Sequence, residues 1–154
     1  MKHLKYALGV FLFFSELAVS SACSDNLVEF QLNHNYEKIW LEIADTHQER
    51  KNGLMYRSYL ASNSGMLFIY EKPQFVKFWM KNTQIPLDII FINDKGLIVR
   101  LVTNTVPFSI DPIESGQKVQ YVLEVNSGYS KQMDLFEGGL ISGIAKFTTE
   151  LKKC

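Results

Sequence analysis

Apolar and polar residues alternate through Leu27-Val28-Glu29-Phe30-Gln31-Leu32, and again through Ile39, Leu41 and Ile43 with Trp40 and Glu42 between them. A period of two is the mark of a strand with one face buried. Asn33-His34-Asn35 is turn chemistry, so the two runs predict a hairpin. The period then changes. Thr46 and Glu49 stand at the spacing of a capping box, which predicts a helix from Thr46 to about Tyr59. On that helix Arg50, Gly53 and Arg57 fall at i, i+3 and i+7, on one stripe.

The rest of the pattern is β-rich. Gly65 to Tyr70 reads as a buried strand that Pro73 breaks, and Phe75 to Met80 as another. In the latter, alternation puts Phe75, Lys77 and Trp79 on one face and Val76, Phe78 and Met80 on the other. Leu87–Ile92 and Leu97–Val102 flank Asn93-Asp94-Lys95-Gly96, a hairpin turn signal. A long loop follows over residues 103–118, then a strand at Tyr121–Val125, a short helix from Gly128 to Phe136 and a last strand from Leu140 to Phe147. The expected class is α+β: a strongly bent sheet or small barrel, one prominent helix and a second short one.

The first residues belong to a different pattern. Lys2 and Lys5 precede an apolar run from Tyr6 to Phe14, and Ser20-Ser21-Ala22 fits a small-x-small cleavage site. The run is short of the roughly 20 residues a membrane-spanning helix needs, but suits a cleavable signal peptide over residues 1–22. The working molecule is then one exported domain, residues 23–154, in the periplasm or cell envelope. Cys23 permits a lipid anchor, although Ser20 stands where the recognition box wants Leu; alternatively Cys23 and Cys154 form a disulfide. Removing Lys2, Lys5 and Glu16 from the balanced sixteen basic and sixteen acidic residues leaves a net charge of −1. Such a domain has no general electrostatic pull on nucleic acid or anionic lipid.

Five segments carry a resemblance: Arg50-x-x-Gly-Leu-Met-Tyr-Arg57, Gly65-Met-Leu-Phe68, Phe78-Trp-Met-Lys-Asn-Thr83, Ile85-Pro-Leu-Asp88 and Tyr121-Val-Leu-Glu-Val-Asn-Ser-Gly128. Their order and spacing resemble domain of unknown function 192, a bacterial and archaeal family, over about residues 27–147. The resemblance implies one compact β-rich domain with a prominent helix, and no established activity. The chain departs from the family at Gly139, where an Asp usually follows the late glycine.

No nucleophile elbow, phosphate loop or paired metal-ligand motif is present, so no catalytic residue, metal or cofactor is expected. Met55, Met66 and Met80 read as core rather than as copper ligands. Two constellations remain. Arg50 and Arg57 around Gly53 could hold a carboxylate or phosphate by forked hydrogen bonds, or else pair with Asp88 and Glu124, both set in apolar strands. Trp79 with Lys81, Asn82 and Thr83 could form an aromatic plate with polar groups beside it, or cover the core edge.

The expected function is therefore a non-enzymatic binding domain of the cell envelope. Its ligand-binding residues would be drawn from Arg50, Arg57, Trp79, Lys81, Asn82, Thr83, Asp88 and Glu124. Its partner would be a small polar or anionic ligand or an envelope protein, not nucleic acid, with the membrane touched only through a lipid on Cys23. The alternatives are a hydrolase-like enzyme using Asp88 and Glu124 as an acid/base pair, and a purely structural envelope protein.

Overall fold

The computed structural model describes residues 27–32, 37–145 and 149. The expected signal peptide, Cys23 and Cys154 lie outside the described residues. Eight strands are present among the described residues: β1 (Leu27–Leu32), β2 (Glu37–Ala44), β3 (Ser64–Gln74), β4 (Lys77–Phe78), β5 (Leu87–Ile92), β6 (Ile98–Val102), β7 (Ile113–Glu114) and β8 (Val119–Asn126). Two short helices accompany them, α1 (His47–Asn52) and α2 (Tyr129–Gln132). Six strands form one sheet in the order β1-β2-β3-β8-β5-β6. The sheet is bent and open rather than closed into a barrel. β4 and β7 form a separate two-stranded ribbon.

β1 and β2 pair antiparallel, as their alternation predicts, with Leu27 opposite Glu42 and Leu32 opposite Glu37. β2 and β3 run parallel, so the chain must cross over between them. That crossover contains α1 and the turns after it. β8 is central, antiparallel to both β3 and β5.

The apolar run Met66–Ile69, and the runs Leu87–Ile92 and Tyr121–Val125 that only Asp88 and Glu124 interrupt, follow from burial on both faces of the sheet. One face packs Ile39, Leu41, Leu67, Ile90, Leu123 and Val125 against Tyr129 and Met133. The other packs Met66, Phe68, Ile89, Phe91 and Val122 beneath Leu54, Leu60, Val76, Met80 and Ile85. Phe78 joins this second core by edge-on ring contacts, its centroid 4.9 Å from Phe68 and 5.8 Å from Phe91.

Several elements differ from expectation. The strand expected over Phe75–Met80 forms only as β4, the loop expected over residues 103–118 contains β7, and α2 ends at Gln132 rather than Phe136. α1 ends at Asn52 rather than near Tyr59. Its capping box forms, with the Thr46 hydroxyl accepting from Glu49 N–H at 3.2 Å and the Glu49 carboxylate accepting from Thr46 N–H at 3.0 Å. The helix buries no residue, so no tertiary packing extends it. Gly53 terminates it at φ 49°, ψ −135°. Arg50, Gly53 and Arg57 therefore share no helical stripe. The strand expected at Leu140–Phe147 is not found among the described residues; Leu140 makes a single bridge to Leu97. β3 runs past Pro73 to Gln74, with its register against β8 shifting between Ile69 and Gln74. A proline is tolerated where the ladder is already interrupted.

The glycine at position 53 is explained by both backbone and space. Its φ, ψ combination is one L-residues rarely adopt, and an added Cβ would stand 3.3 Å from Phe68 Cζ. Gly53→Ala is expected to lower stability by about 1–3 kcal/mol. A thermal melt showing a stabilised variant would overturn this account.

Candidate functional site

Glu124 is the unusual residue of the second core. It stands in β8 opposite Ile89 of β5 and Met66 of β3, in the middle of an apolar sheet face. It is 5 % exposed, and no described residue hydrogen-bonds to its carboxyl. Every side-chain polar atom wholly shut off from solvent among the described residues has a partner. An unbonded carboxyl here must then open onto space, and it does: Glu124 lies at the floor of a cleft of about 80 Å³. Burial pushes its carboxyl up to about 8, with the charge of Arg57 pulling weakly the other way.

Three segments wall the cleft. The end of α1 and its turn supply Arg50, Lys51, Gly53 and Met55; β3 supplies Phe68 and Tyr70; the ribbon strand and its continuation supply Lys77, Phe78, Trp79 and Thr83. Arg50 is held in place by its Nη1, which donates to the Ile69 carbonyl at 2.9 Å and to the Asp45 carbonyl. Its guanidinium lies over the Tyr70 ring, 5.0 Å from the centroid. Burial also pushes the Tyr70 hydroxyl up, to about 12. Lys77 bridges to Glu114 at 2.8 Å on the exposed side of the ribbon.

The ribbon shows the expected alternation. Val76 and Met80 are buried, whereas Phe75, Lys77, Trp79 and Lys81 are exposed. Lys81 lies over the cleft-lining Trp79, 5.3 Å from the ring centroid. The loops around that rim hold three non-glycine residues at positive φ: Tyr56, Asn82 and Phe108. Hydrogen bonds interlock them. Tyr56 N–H donates to the Asn82 carbonyl at 2.8 Å, Asn82 Nδ2 to the Tyr56 hydroxyl at 2.7 Å, and Phe108 N–H to the Thr83 carbonyl at 3.0 Å. Strained backbone held by several partners is a recurrent feature of binding sites.

Of the eight candidate residues, Arg50, Trp79, Thr83 and Glu124 line the cleft together. Lys81 flanks it, and Asn82 fixes the loop beside it. Arg57 and Asp88 do not join them. Arg57 makes a two-pronged pair with Glu42, Nη2 to Oε2 at 2.7 Å, and that bond is the main cause of its raised pKa. Asp88 is fully buried and is paired with no arginine. Its carboxylate accepts from the N–H groups of Asn104 (2.9 Å), Gly128 (3.0 Å) and Ser130 (3.1 Å) and from the Ser130 hydroxyl (2.5 Å). It ties β5 to the loop at Asn104 and to the start of α2.

The acid/base pairing of Asp88 with Glu124 also fails. Asp88 is opposite Val125, whereas Glu124 is opposite Ile89, so the register puts the two carboxyls on opposite faces of the sheet. Sequence reasoning left Tyr70 and Lys77 out of the site. Lys77 carried a signal, being two residues before Trp79 on the same strand face. Among the described residues, no three His, Cys, Asp or Glu side chains gather as metal ligands would.

Comparison with known proteins agrees with the fold. A crystal structure of a protein of unknown function from Novosphingobium aromaticivorans DSM 12444 is 31% identical, with a TM-score of 0.70, over 79% of this chain and 88% of that one. A crystal structure from Sinorhizobium meliloti 1021, described as a "putative transcription regulator", is 40% identical, with a TM-score of 0.64, over 66% of this chain and 78% of that one. No curated protein matches the chain. DUF192, a family described as "Uncharacterized ACR", matches residues 28–143, and the chain belongs to that family.

Proposed function

We propose that this is an exported, non-enzymatic binding domain that takes the polar end of a small ligand into the cleft over Glu124. The observation that carries the proposal is that carboxyl: buried in an apolar sheet face, bonded to no described residue, and lining the cleft. A strongly perturbed titratable group in a cleft is a mark of a functional site. The size narrows the ligand. A cleft of about 80 Å³ is well below the roughly 300–1,000 Å³ of pockets that enclose a whole ligand, which suits an end group. Aromatic walls from Phe68, Phe78 and Trp79 suit the apolar stem behind that end group. Export is part of the same proposal and rests on Lys2, Lys5, the apolar run to Phe14 and the Ser20-Ser21-Ala22 site.

Native mass spectrometry of the protein purified from its own cell envelope tests both halves. The expected result is a mature N-terminus at Cys23 and a small molecule retained by the wild type but lost from Trp79→Ala. A chain beginning at Met1 would remove the export reading. A bare wild-type chain whose Trp79 fluorescence responds to no small molecule extracted from the same envelopes would remove the binding reading.

A further inference from the structure

The chemistry of the cleft identifies the end group more closely. Three cations line it, Arg50, Lys51 and Lys77, against one acidic residue, Glu124. Lys77 is partly neutralised by Glu114, but Arg50 has no acidic partner among the described residues. Its Nη1 is spent on two backbone carbonyls, which fix the guanidinium plane; its Nε and Nη2 donate to no described residue. A guanidinium immobilised by one nitrogen and free at the others is set to receive a planar oxyanion.

Building on the binding reading, we propose that the group seated in the cleft is a carboxylate, held between the Arg50 guanidinium and the carboxyl of Glu124 acting as a hydrogen-bond donor. One ligand oxygen accepts from Arg50, and the other accepts the proton of the Glu124 carboxyl, so the two carboxyl groups share a single proton. Nothing is oxidised and no covalent bond changes. The apolar stem of the ligand lies along Phe68, Phe78 and Trp79. Geometry requires the Glu124 proton, because a carboxylate at the cleft floor would otherwise repel the ligand. The surroundings supply it. Burial raises the Glu124 carboxyl to about 8, so it is largely protonated at neutral pH, and the charge of Arg57 does not undo this. Charged groups also stand around the cleft. Those groups are Arg50 and Lys51 from the α1 segment, Lys77 from the ribbon and the Arg57–Glu42 pair, with the Tyr70 hydroxyl beside them un-ionised to about 12.

The test is a binding titration read by Trp79 fluorescence in a Trp40→Phe background, which leaves one tryptophan at the cleft rim. The probes are propionate, benzoate, inorganic phosphate and methylammonium, each at pH 6 and pH 9.5. The carboxylates should bind at pH 6 and weaken by about tenfold or more at pH 9.5, where Glu124 is ionised. Glu124→Gln keeps a neutral donor and should bind carboxylates about equally at both pH values. Arg50→Gln should lose them at both, with its fold checked by circular dichroism. Loss of the pH dependence in Glu124→Gln is a result that a merely structural glutamate does not produce. Methylammonium binding more tightly than the carboxylates, and more tightly at high pH, would overturn the carboxylate assignment while leaving the cleft as a binding site. Phosphate outcompeting both carboxylates would do the same. No response to any probe at either pH would remove the assignment and count against the binding reading as well.

Discussion

Replacing Asp88 with alanine is expected to cost the protein about 3–5 kcal/mol, although no arginine is left unpaired by the change. The carboxylate gathers four donors, from Asn104, Gly128 and both the backbone and hydroxyl of Ser130, at 2.5–3.1 Å in a site with no solvent exposure. Alanine removes the acceptor and leaves those donors inside the protein. Each stranded donor costs about 1–3 kcal/mol, reduced where a water enters the space. Gly128 and Ser130 lie at the first turn of α2, so that helix should also loosen. Asp88→Asn keeps one oxygen as acceptor but turns an NH₂ toward donors, and should fall between wild type and Asp88→Ala. Urea denaturation measures the difference. A loss well under 1 kcal/mol for Asp88→Ala would mean that Asp88 is not a structural tie. Ligand binding should survive at concentrations where the variant is folded, because Asp88 is on the sheet face away from the cleft.

The second large effect is pH-dependent. Glu124 sits near 4.5 in the unfolded chain and is raised to about 8 by burial when folded. Between those values the folded protein holds a proton that the unfolded chain has released. Stability therefore falls as pH rises from about 4.5 to about 8, and the loss is complete above that. At roughly 1.4 kcal/mol per pKa unit, the full cost is on the order of 5 kcal/mol. Glu124→Gln fills the same space without ionising, and should be free of it. The variant is expected to match the wild type near pH 4 and to exceed it progressively toward pH 8. Subtracting the two denaturation profiles cancels the other titrating groups. A difference that stays flat from pH 4 to 9 would show that Glu124 is not buried as described. The predicted gain at high pH also bears on function, since a residue that destabilises its own fold is a candidate for being kept for its chemistry.

Much of the scaffold was legible from local pattern. The β1–β2 alternation, the Asn93–Gly96 turn and the run Leu87–Ile92 each depend on near neighbours in sequence, and each formed as read. At the turn, Asn93 Oδ1 accepts from the N–H groups of Lys95 and Leu97, while Gly96 takes φ 85°. The exposed row of Phe75, Lys77 and Trp79 also followed from strand parity.

The site was less legible. Helical periodicity put Arg50 and Arg57 on one stripe because it takes the backbone to be regular. Gly53 leaves that regularity at a φ, ψ that its own lack of a side chain permits, with Phe68 packed close against it. Arg57 was thereby released to Glu42, and Arg50 was pinned to the carbonyls of Asp45 and Ile69.

What the sequence by itself determined was where the main sheet strands and the Asn93–Gly96 turn lie, and that Asp88 and Glu124 stand in apolar strands where a carboxylate is costly to bury. Which sheet face each carboxyl occupies was decided only by the tertiary structure. A strand buried on both sides shows no alternation, so parity is invisible until a neighbour sets it. The β5–β8 register, with Ile89 opposite Glu124 and Asp88 opposite Val125, makes that choice. It sends one carboxylate to the backbone amides around α2 and leaves the other at the floor of a cleft, and the difference is a long-range pairing that no local window of residues contains.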